Sequence, residues 1–383
     1  MKRISDFIYS LMFMGLVVVV AVCSLPDVRS FSTATQTPVL NGKLAQAFEK
    51  HYDKNFPFKE FGTNLWAAID YSLFGEGRPG VVVGRNNWLF TDEEFKPASK
   101  PEQFQDNWAL VSAVQAEFKR RGVTLVLALL PAKARLYPEH LGQNLPVVEQ
   151  LRLYPEALAR MQQAKIAGPE LLSALQQAKA EQQVFMRTDT HWSPFGAQVV
   201  ADSLAAYLRQ TGHWQHGGAN FVTATGSSQT HKGDLLSFLP LEPYFTQLQP
   251  PAEPVQLRST AADEASQGDL FASQETPIAL VGTSYSANPK WNFAGALKQA
   301  LGTDLISYAE DGHGPLVPML RFLQRPADEV AGLRLLIWEV PERYLNMPSD
   351  LSEFDPAWLA QLKAGEGLSE RLALTAVNPV NAP

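Results

Sequence analysis

Three residues in this chain have the types that nucleophilic acyl chemistry requires. Asp189 and His191 lie two positions apart, just before the strong helix-start pair Ser193-Pro194, and Ser284 follows an apolar run far downstream, with Ser286 as a competing nucleophile. A serine hydroxyl is a poor nucleophile until a base removes its proton, and an imidazole is a better base when a carboxylate fixes its tautomer. The chain therefore supplies an acid, a base and a nucleophile. On spacing alone, a surface turn in which the acid and the imidazole cap the next helix is the alternative.

Two glycine-containing turns could complement this chemistry. Ser284 follows Gly282, and a strand-to-helix turn of this kind supplies backbone N–H groups that can hold an oxyanion. Gly312 and Gly314 flank His313 in a second turn. We predict these two glycines as further oxyanion donors and His313 as the reserve base, with an ordinary turn as the alternative.

Four cationic residues are the candidates for substrate binding. Lys133, Arg187, Lys290 and Arg343 lie next to the candidate site segments or just after predicted strands. Each is also a candidate for a structural ion pair. Because the other cations are scattered along the chain, we expect weak affinity for a long anionic polymer.

The elements that position these residues predict an α/β fold. Apolar runs at 123–130, 277–281 and 335–340 predict buried strands, and stretches with apolar residues at helical spacing lie between them. Such alternation predicts a mostly parallel sheet with helices on both faces. Ligands of such sheets bind outside the carboxyl ends of the strands. We expect Asp189, His191 and Ser284 to meet at that edge.

Three segments depart from the simple alternation. Residues 81–90 predict a β-hairpin around the turn at 84–87. Residues 184–186 predict a short strand before the candidate acid. Residues 209–275 are rich in Gly, Ser, Pro and Gln and predict a long irregular insertion.

Composition and motifs argue against several other functions. The net charge of -7 and the pI of about 5.6 argue against nucleic acid as the main partner. The one cysteine, Cys23, lies in the N-terminal apolar segment, so neither an internal disulfide nor a cysteine metal site is possible. His213 and His216 have ligand-like spacing but no third ligand nearby, and the chain has no Walker A or Rossmann glycine motif. We predict that the chain uses no metal and no soluble cofactor.

The N-terminus predicts a membrane anchor. Lys2 and Arg3 precede a run from Phe7 to Leu25 without a charged residue. Roughly 20 apolar residues cross a bilayer core as a helix, and the basic flank stays in the cytoplasm. We therefore predict a signal anchor at 1–25, a linker at 26–40 and a body in the periplasm. A cleaved signal peptide with a free periplasmic body is the rival interpretation.

A set of ordered motifs resembles the AlgJ/AlgX-type family of polysaccharide O-acetyltransferases, over roughly residues 42–345. That family comprises periplasmic or membrane-anchored proteins with an SGNH-hydrolase-like fold. Several motifs in order are more specific than any one alone. The matching segments are His51–Pro57, Gly84–Phe90, Leu130–Lys133, Asp189–Trp192, Lys232–Leu235, Gly282–Ser286 and Ile337–Tyr344.

The resemblance implies a role for each candidate residue. Ser284 corresponds to the nucleophile of the family, His191 to its base and Asp189 to the orienting acid. The order acid, base, serine reverses the usual hydrolase order of the fold, as expected for a permuted version. The resemblance implies an acetyltransferase domain at 41–350, followed by a C-terminal helix and tail at 351–383.

The resemblance also implies a pathway and partners. The chain ends about forty residues after Tyr344, where AlgX-like members carry a carbohydrate-binding domain, so the shorter AlgJ-like architecture is expected. The implied function is O-acetylation of alginate or a related exopolysaccharide. The implied partners are a membrane-bound O-acyltransferase (AlgI-like), other acetylation proteins and the polysaccharide acceptor. A plain acetylesterase and a non-catalytic scaffold of the secretion complex are the alternatives, and the sequence does not identify the polymer.

Overall fold

The chain divides into two compact units. The computed structural model describes residues 2–32, 41–263, 277–326, 329–330 and 332–365. One unit comprises Met1–Arg78 with Leu239–Gln249, and the other Pro79–Phe238 with Pro250–Pro383. The unit that carries the candidate site thus begins at Pro79, whereas the sequence prediction begins its domain at residue 41. Most of the predicted linker, at 33–40, and the predicted tail after residue 365 lie outside the described residues.

Helices and strands alternate as the sequence predicts. The helices are α1 Lys2–Ser30, α2 Lys43–Asn55, α3 Lys59–Ile69, α4 Gln103–Arg120, α5 Lys133–Leu136, α6 Val148–Ala164, α7 Leu171–Ala178, α8 Pro194–Thr211, α9 Ser284–Ala287, α10 Phe293–Leu301, α11 Leu316–Leu323 and α12 Pro356–Ala364. The strands are β1 Val81–Val83, β2 Leu89–Thr91, β3 Thr124–Leu130, β4 Phe221–His231, β5 Glu253–Ala262, β6 Ile278–Val281, β7 Ile306–Ser307 and β8 Leu335–Pro341.

Helix α1 has the length and composition of a membrane span. The candidate span runs from Ile4 to Ser30, a length of 27 residues, and an 18-residue stretch within it has a mean hydropathy of 2.5; its apolar side chains are almost all exposed. The helix continues through Pro26 to Ser30, so the first residues of the predicted linker are helical. By length and composition alone, α1 could serve as an anchor or as a signal sequence.

A parallel sheet organises the second unit. Its strands lie in the order β3-β8-β6-β7, and the β3–β8, β8–β6 and β6–β7 pairs are all parallel. Because side chains alternate along a strand, each face of the sheet packs into its own core. Val126, Ala128 and Leu130 of β3 pack on the side of α7, α8 and α10. Leu125, Leu127 and Leu129 pack on the side of α4, α6 and α11. The α/β fold with helices on both faces is thereby confirmed.

Two antiparallel hairpins stand outside this sheet. β1 pairs with β2 around Asn86 and Asn87, which both adopt positive φ as a tight hairpin turn requires, and this confirms the first predicted hairpin. β4 pairs with β5 inside the segment predicted as an irregular insertion, so that prediction is wrong for the residues of these two strands. The exposed stretch of β4 from Thr225 to Thr230 is polar on both faces, and it therefore lacks the alternation that marks a half-buried strand.

The strand predicted at 184–186 is also wrong in extent. The structure has only an isolated antiparallel bridge there, between Phe185 and Trp192. Val184, Phe185 and Met186 are buried in the core on the α8 side, which explains their apolar character. This bridge closes a tight loop, and the loop holds the candidate acid and base.

Candidate active site

The candidate nucleophile lies at the turn that ends β6. A Cβ on Gly282 would lie 2.5 Å from Oε2 of Glu339 in β8, so only glycine lets the turn approach the neighbouring strand this closely. Thr283 N–H donates to that oxygen at 2.8 Å, and Ser286 Oγ donates to it at 3.0 Å. These bonds fix the turn and leave Ser284 half-buried as the first residue of α9.

The loop before α8 is held by two buried charged residues. The carboxylate of Glu253, at the start of β5, accepts hydrogen bonds from the backbone N–H groups of Arg187 and Thr188, both at 2.8 Å. Lys133, the first residue of α5, donates from Nζ to the carbonyl oxygens of Arg187 and Asp189, both at 2.9 Å. The backbone on either side of Thr188 is therefore tied to two other elements. This positions Asp189 without a regular strand.

The structure brings the three candidate catalytic residues into one chain of hydrogen bonds. His191 Nδ1 lies 2.6 Å from Asp189 Oδ1, and His191 Nε2 lies 2.7 Å from Ser284 Oγ. The backbone N–H of His191 donates to the same Asp189 oxygen at 2.9 Å. A carboxylate oxygen only accepts, so Nδ1 carries the proton and Nε2 is free to accept the serine proton. This is the arrangement that activates a serine for acyl transfer.

A second imidazole occupies the other oxygen of the same carboxylate. His231 Nε2 lies 2.8 Å from Asp189 Oδ2, and the backbone N–H of Asp234 donates to that oxygen at 3.1 Å. On the far side of His231, Nδ1 lies 3.0 Å from Nζ of Lys290. Burial by itself raises the pKa of Asp189, but the hydrogen bonds from His191 and His231 outweigh it, so the pKa lies well below its usual range. Asp189 is therefore held as the anion.

Two of the four cations predicted to bind substrate are buried structural residues. Lys133 is 1% exposed, and burial lowers its pKa to about 8. Arg343 is 4% exposed, and it donates from Nε to Glu93 at 2.9 Å and from Nη1 to the Tyr285 hydroxyl at 3.0 Å. The Tyr285 hydroxyl in turn donates to the carbonyl oxygen of Thr190 at 2.6 Å. Burial and these bonds argue against direct contact of Lys133 or Arg343 with a polymer, and a role of either residue in substrate binding is untested.

The other two cations are half-buried. Arg187 donates from Nη2 to the carbonyl oxygen of Pro251 at 2.8 Å. Lys290 contacts His231, as described above, and its Nζ lies 5.7 Å from the ring centre of Trp291. A role of Arg187 and Lys290 in binding substrate stays a prediction.

The second glycine turn lines a cavity of about 450 Å³. Gly312, His313 and Gly314 share it with Tyr344, Arg321 and other residues. Both glycines adopt positive φ, as expected for a turn, and His313 is exposed. The base contacted by Ser284 is His191 rather than His313. The assignment of Gly312 and Gly314 as oxyanion donors remains a prediction.

Ser286, the competing nucleophile, points to a different partner. Its hydroxyl donates to Glu339, which is fully buried, and burial raises the pKa of that carboxyl group. The hydroxyl of Ser284 is the one that contacts an imidazole. The geometry therefore favours Ser284 over Ser286 as the nucleophile.

Within the part of the chain that the structure describes, two groups have the residue types of metal ligands. His213 and His216 line a cavity of about 540 Å³ with Trp214 and Arg334. Asp189, His191 and Asp234 place ligand atoms within 4.8 Å of one another. Within this second group, however, His191 Nδ1 is already bonded to Asp189. The expectation that the chain uses no metal stays a prediction.

Sequence reasoning missed three residues that build the site. His231 directly precedes the Lys232–Leu235 motif, a signal that pointed to the right segment. Glu339 is the single acidic residue in the apolar run 335–340, and a lone carboxylate in a buried strand indicates a specific partner. Glu253 carried no signal, because it lies in the segment predicted to be irregular.

Known proteins of similar sequence and structure share this architecture. A family described as "SGNH hydrolase-like domain, acetyltransferase AlgX" matches residues 81–342. The "Probable alginate O-acetylase AlgJ" of Pseudomonas aeruginosa is 57% identical, over 97% of both chains. The "Alginate biosynthesis protein AlgX" of Pseudomonas fluorescens is 26% identical, over 69% of this chain and 56% of its own length. The solved O-acetyltransferase domain of Pseudomonas putida AlgJ is 48% identical and superimposes with a TM-score of 0.69, over 74% of this chain and 99% of that domain. The chain therefore belongs to the AlgJ/AlgX family of SGNH-hydrolase-like O-acetyltransferases, and its similarity to AlgJ is the greater.

Proposed function

We propose that this chain transfers acetyl groups to alginate through an acetyl-Ser284 intermediate. The observation that carries the proposal is the unbroken series of contacts from Ser284 Oγ to His191 Nε2 and from His191 Nδ1 to Asp189 Oδ1, at 2.7 and 2.6 Å. Alginate is the polymer named in the AlgJ relative of 57% identity. A related exopolysaccharide is the alternative acceptor.

The first half-reaction acetylates the serine. Ser284 Oγ attacks the carbonyl carbon of the acetyl donor while His191 Nε2 takes the hydroxyl proton. The ionised Asp189 stabilises the resulting imidazolium and holds its orientation. The tetrahedral intermediate then collapses, the bond to the donor's leaving oxygen breaks, and that oxygen takes the proton from His191.

The second half-reaction returns the enzyme to its starting state. A sugar hydroxyl attacks the acetyl carbon, and its proton goes to His191 Nε2. The ester bond to Ser284 breaks, and Ser284 Oγ recovers the proton from His191. With water in place of the sugar, the same steps give an acetylesterase, so an acetylesterase side activity on small esters is expected.

The location and partners are proposed from the N-terminus and the relatives. Helix α1, which begins with Lys2 and Arg3, anchors the chain in the inner membrane with the body in the periplasm. A membrane-bound O-acyltransferase of the AlgI type supplies the acetyl group, and other acetylation proteins complete the system. A reporter that is active only in the periplasm, fused to the C-terminus, should be active. Activity of a cytoplasmic reporter instead, or a mature N-terminus near residue 26, would contradict the anchored topology.

Trapping the intermediate tests the chemistry. The purified chain is mixed with a small acetyl ester, quenched in acid and digested, and the peptide that contains Ser284 should gain one acetyl group. The same protein with His191→Ala should gain none. Product analysis with alginate oligosaccharides then separates transfer from hydrolysis, because transfer leaves acetyl esters on the sugar. Acetylation of another residue would refute the proposed nucleophile, and acetylation in cells by a Ser284→Ala chain would indicate a scaffold.

A further inference from the structure

Several large apolar side chains are exposed on α3 and on the short π-helix, Asp70–Phe74, that follows it. Phe61, Leu65, Trp66, Leu73 and Phe74 form this surface, which we call the α3 apolar surface. Their exposed fractions run from 38% for Leu65 to 73% for Leu73. Single exposed apolar residues are ordinary, but a group of them with an exposed tryptophan is typical of a surface that contacts a protein or a membrane.

The opposite side of α3 is already occupied. Asn64 and Ala68 are buried, and Asn64 donates from its amide to the carbonyl oxygen of Pro240 at 2.7 Å. At the edge of the apolar surface, the ring of Phe61 packs against Tyr244 with 5.3 Å between centroids. The helix is therefore fixed in its unit by one side, and its apolar side faces outward.

The same compact unit contains the membrane helix. Where α1 ends, Phe31 packs against Phe48 of α2 with 5.3 Å between ring centroids, and His51 Nε2 lies 3.0 Å from Ser30 Oγ. A row of aromatic contacts then continues from Tyr52 through Phe56 to Phe58, directly before α3. Aromatic contacts therefore run from the end of the proposed membrane span to Phe58, the residue that directly precedes α3.

The chemistry of the surface fits lipid better than a charged partner. Between Lys43 and Phe74 four lysines are balanced by four acidic residues, so this region has no net attraction for an anionic polymer. Tryptophan is enriched at membrane–water interfaces, and helices that lie in the interface carry Trp, Phe and Leu on the face that enters the headgroup region.

We propose that the α3 apolar surface lies in the interfacial layer of the bilayer that α1 crosses. This second attachment limits the freedom of the first compact unit relative to the membrane plane. The proposal rests on the membrane anchoring proposed above and is independent of the acetyl chemistry.

Site-directed spin labelling of the full chain in lipid nanodiscs tests this. Cys23 is the only cysteine, so Cys23→Ser gives a cysteine-free background. Labels are placed at Trp66→Cys and Leu73→Cys, with Glu60→Cys as the matched exposed control. Glu60 is turned about 100° from Phe61 around the helix. Collision rates are then measured with oxygen, which concentrates in lipid, and with a water-soluble nickel chelate.

The outcomes separate the possible occupants of this surface. We expect the labels at 66 and 73 to collide several-fold more with oxygen and less with nickel than the label at 60. Nickel collisions equal to those at Glu60 would place the surface in water and overturn the proposal. Shielding from both reagents would indicate a protein partner or a second copy, and would overturn it equally.

A second, independent observation concerns His231. Nζ of Lys290 is a donor, so the His231 Nδ1 atom that it faces at 3.0 Å must accept. The proton of His231 then lies on Nε2, which donates to Asp189 Oδ2 at 2.8 Å. Lys290 thereby fixes the tautomer of His231, just as Asp189 fixes that of His191. The ring of Trp291 contacts both imidazoles, with centroid distances of 5.5 Å to His191 and 5.6 Å to His231.

We infer that His231, fixed by Lys290, is a positioning residue for the proposed acetyl transfer. Its hydrogen bond fills one side of Asp189 Oδ2 and keeps the carboxylate rotated with Oδ1 toward His191. Without it, the buried carboxylate loses a donor and can turn away from the base. His231 contacts neither Ser284 nor a reacting atom on this view. The inference therefore rests on the proposed function, in which His191 is the base.

Two variants and a spectrum test the inference. His231→Leu should lower kcat on a small acetyl ester by roughly tenfold to a hundredfold, the range for outer partners of histidine ligands in metal sites. KM should stay within about twofold, because His231 does not touch substrate. His231→Gln, whose amide can donate to the same oxygen, should recover most of kcat.

The tautomer can be read directly from the wild-type protein. Two-bond proton–nitrogen NMR correlations of labelled histidine should give the Nε2–H form for His231, and Lys290→Met should weaken that preference. A Nδ1–H form or an imidazolium would overturn the inference even if every variant misfolded. If His231→Leu keeps the wild-type kcat while Ser284→Ala is inactive, the inferred role of His231 is refuted and the proposed function is not. Full activity in Ser284→Ala would sink the proposed function.

Discussion

Two buried carboxylates flank the turn that carries Ser284, and their environments differ. Asp189 lies on an irregular loop outside the sheet and accepts hydrogen bonds from two imidazoles, which keep its pKa low. Glu339 lies inside β8 and accepts from Thr283 and Ser286, while burial raises its pKa. In the proposed mechanism the carboxylate of Asp189 stabilises charge, whereas the carboxyl group of Glu339 is a structural hydrogen-bond acceptor. The difference comes from the donors, because only an imidazole can carry a proton away from serine near neutral pH.

The two serines provide the sharpest test of this contrast. Ser284 belongs to the network of Asp189, and Ser286 belongs to that of Glu339. Ser284→Ala should lower acetylesterase kcat at least about a thousandfold, because the nucleophile is lost. Ser286→Ala, which removes one hydrogen bond to Glu339, should keep activity within several-fold. Initial rates on a small acetyl ester measure both. The contrast fails if the two results are exchanged.

Replacing each carboxylate by its amide gives the next largest difference. In Asp189→Asn, an amide N–H that faces His191 would favour the wrong tautomer of the imidazole. An amide oxygen that faces it is neutral and would stabilise the imidazolium less. We expect kcat to fall by about 10³ to 10⁴. Glu339→Gln keeps an oxygen for the backbone N–H of Thr283 and should retain most activity. The double variant Asp189→Asn, Ser284→Ala should be no worse than Ser284→Ala alone, since the residues act as a unit. Additive losses would argue against a shared site.

The sequence predicted the site residues whose types and spacing indicate a reaction. It did not predict which charged residues are buried. Asp189, His191 and Ser284 have types and spacings that point to one reaction, and the ordered motifs strengthened that interpretation. Lys133 and Arg343 have the charge expected of substrate contacts, but the structure buries both. Whether a cation faces solvent or the core depends on contacts far away in the chain. Lys133, for example, bonds to carbonyl oxygens more than fifty positions downstream.

The same reason explains the errors in the fold. The parallel sheet was predictable because β3, β6 and β8 are continuous apolar runs that only a buried strand explains. The β4–β5 hairpin was not, since its polar side chains give no period and its order depends on long-range pairing such as Thr223 with Thr260. His231 is the last residue of β4. Because the β4–β5 hairpin was not predicted, the second imidazole of the site was not predicted either.

The pH dependence of stability should have opposite signs for the two carboxylates. The pKa of Glu339 is raised from 4.5 on folding, so its contribution is greatest at low pH and is lost as pH rises above about 4.5. The free energy of unfolding of Glu339→Gln, relative to that of the wild type, should therefore increase as the pH rises from 4.5 to 7.5. The pKa of Asp189 is lowered from 3.8, so its contribution is present above that pH and lost below it. The loss of unfolding free energy in Asp189→Asn, relative to the wild type, should be largest near neutral pH and should shrink as the pH falls.

Denaturant unfolding of the wild type and both variants, at several pH values, measures these signs. A pKa that differs by one between the folded and unfolded chain changes the free energy of unfolding by about 1.4 kcal/mol. Parallel pH profiles for the two variants would show that the two carboxylates share one electrostatic environment. That result would contradict the difference in environment that we describe between Asp189 and Glu339.

The smallest expected effect is the binding of free polymer. Recognition of a uronate chain needs exposed Lys or Arg, yet Lys133 and Arg343 are buried, and Lys290 contacts His231. The carboxylates that build the site add no attraction for an anionic chain, and the net charge of -7 opposes it. We therefore expect the full chain in nanodiscs to bind alginate oligosaccharides no more tightly than millimolar, roughly -4 kcal/mol.

Empty nanodiscs serve as the control, and Arg187→Gln should change the affinity little. Micromolar binding that weakens steeply with salt, and that Arg187→Gln abolishes, would instead show that the edge of the site holds a basic groove. The chain would then select its acceptor directly rather than receive it from a partner.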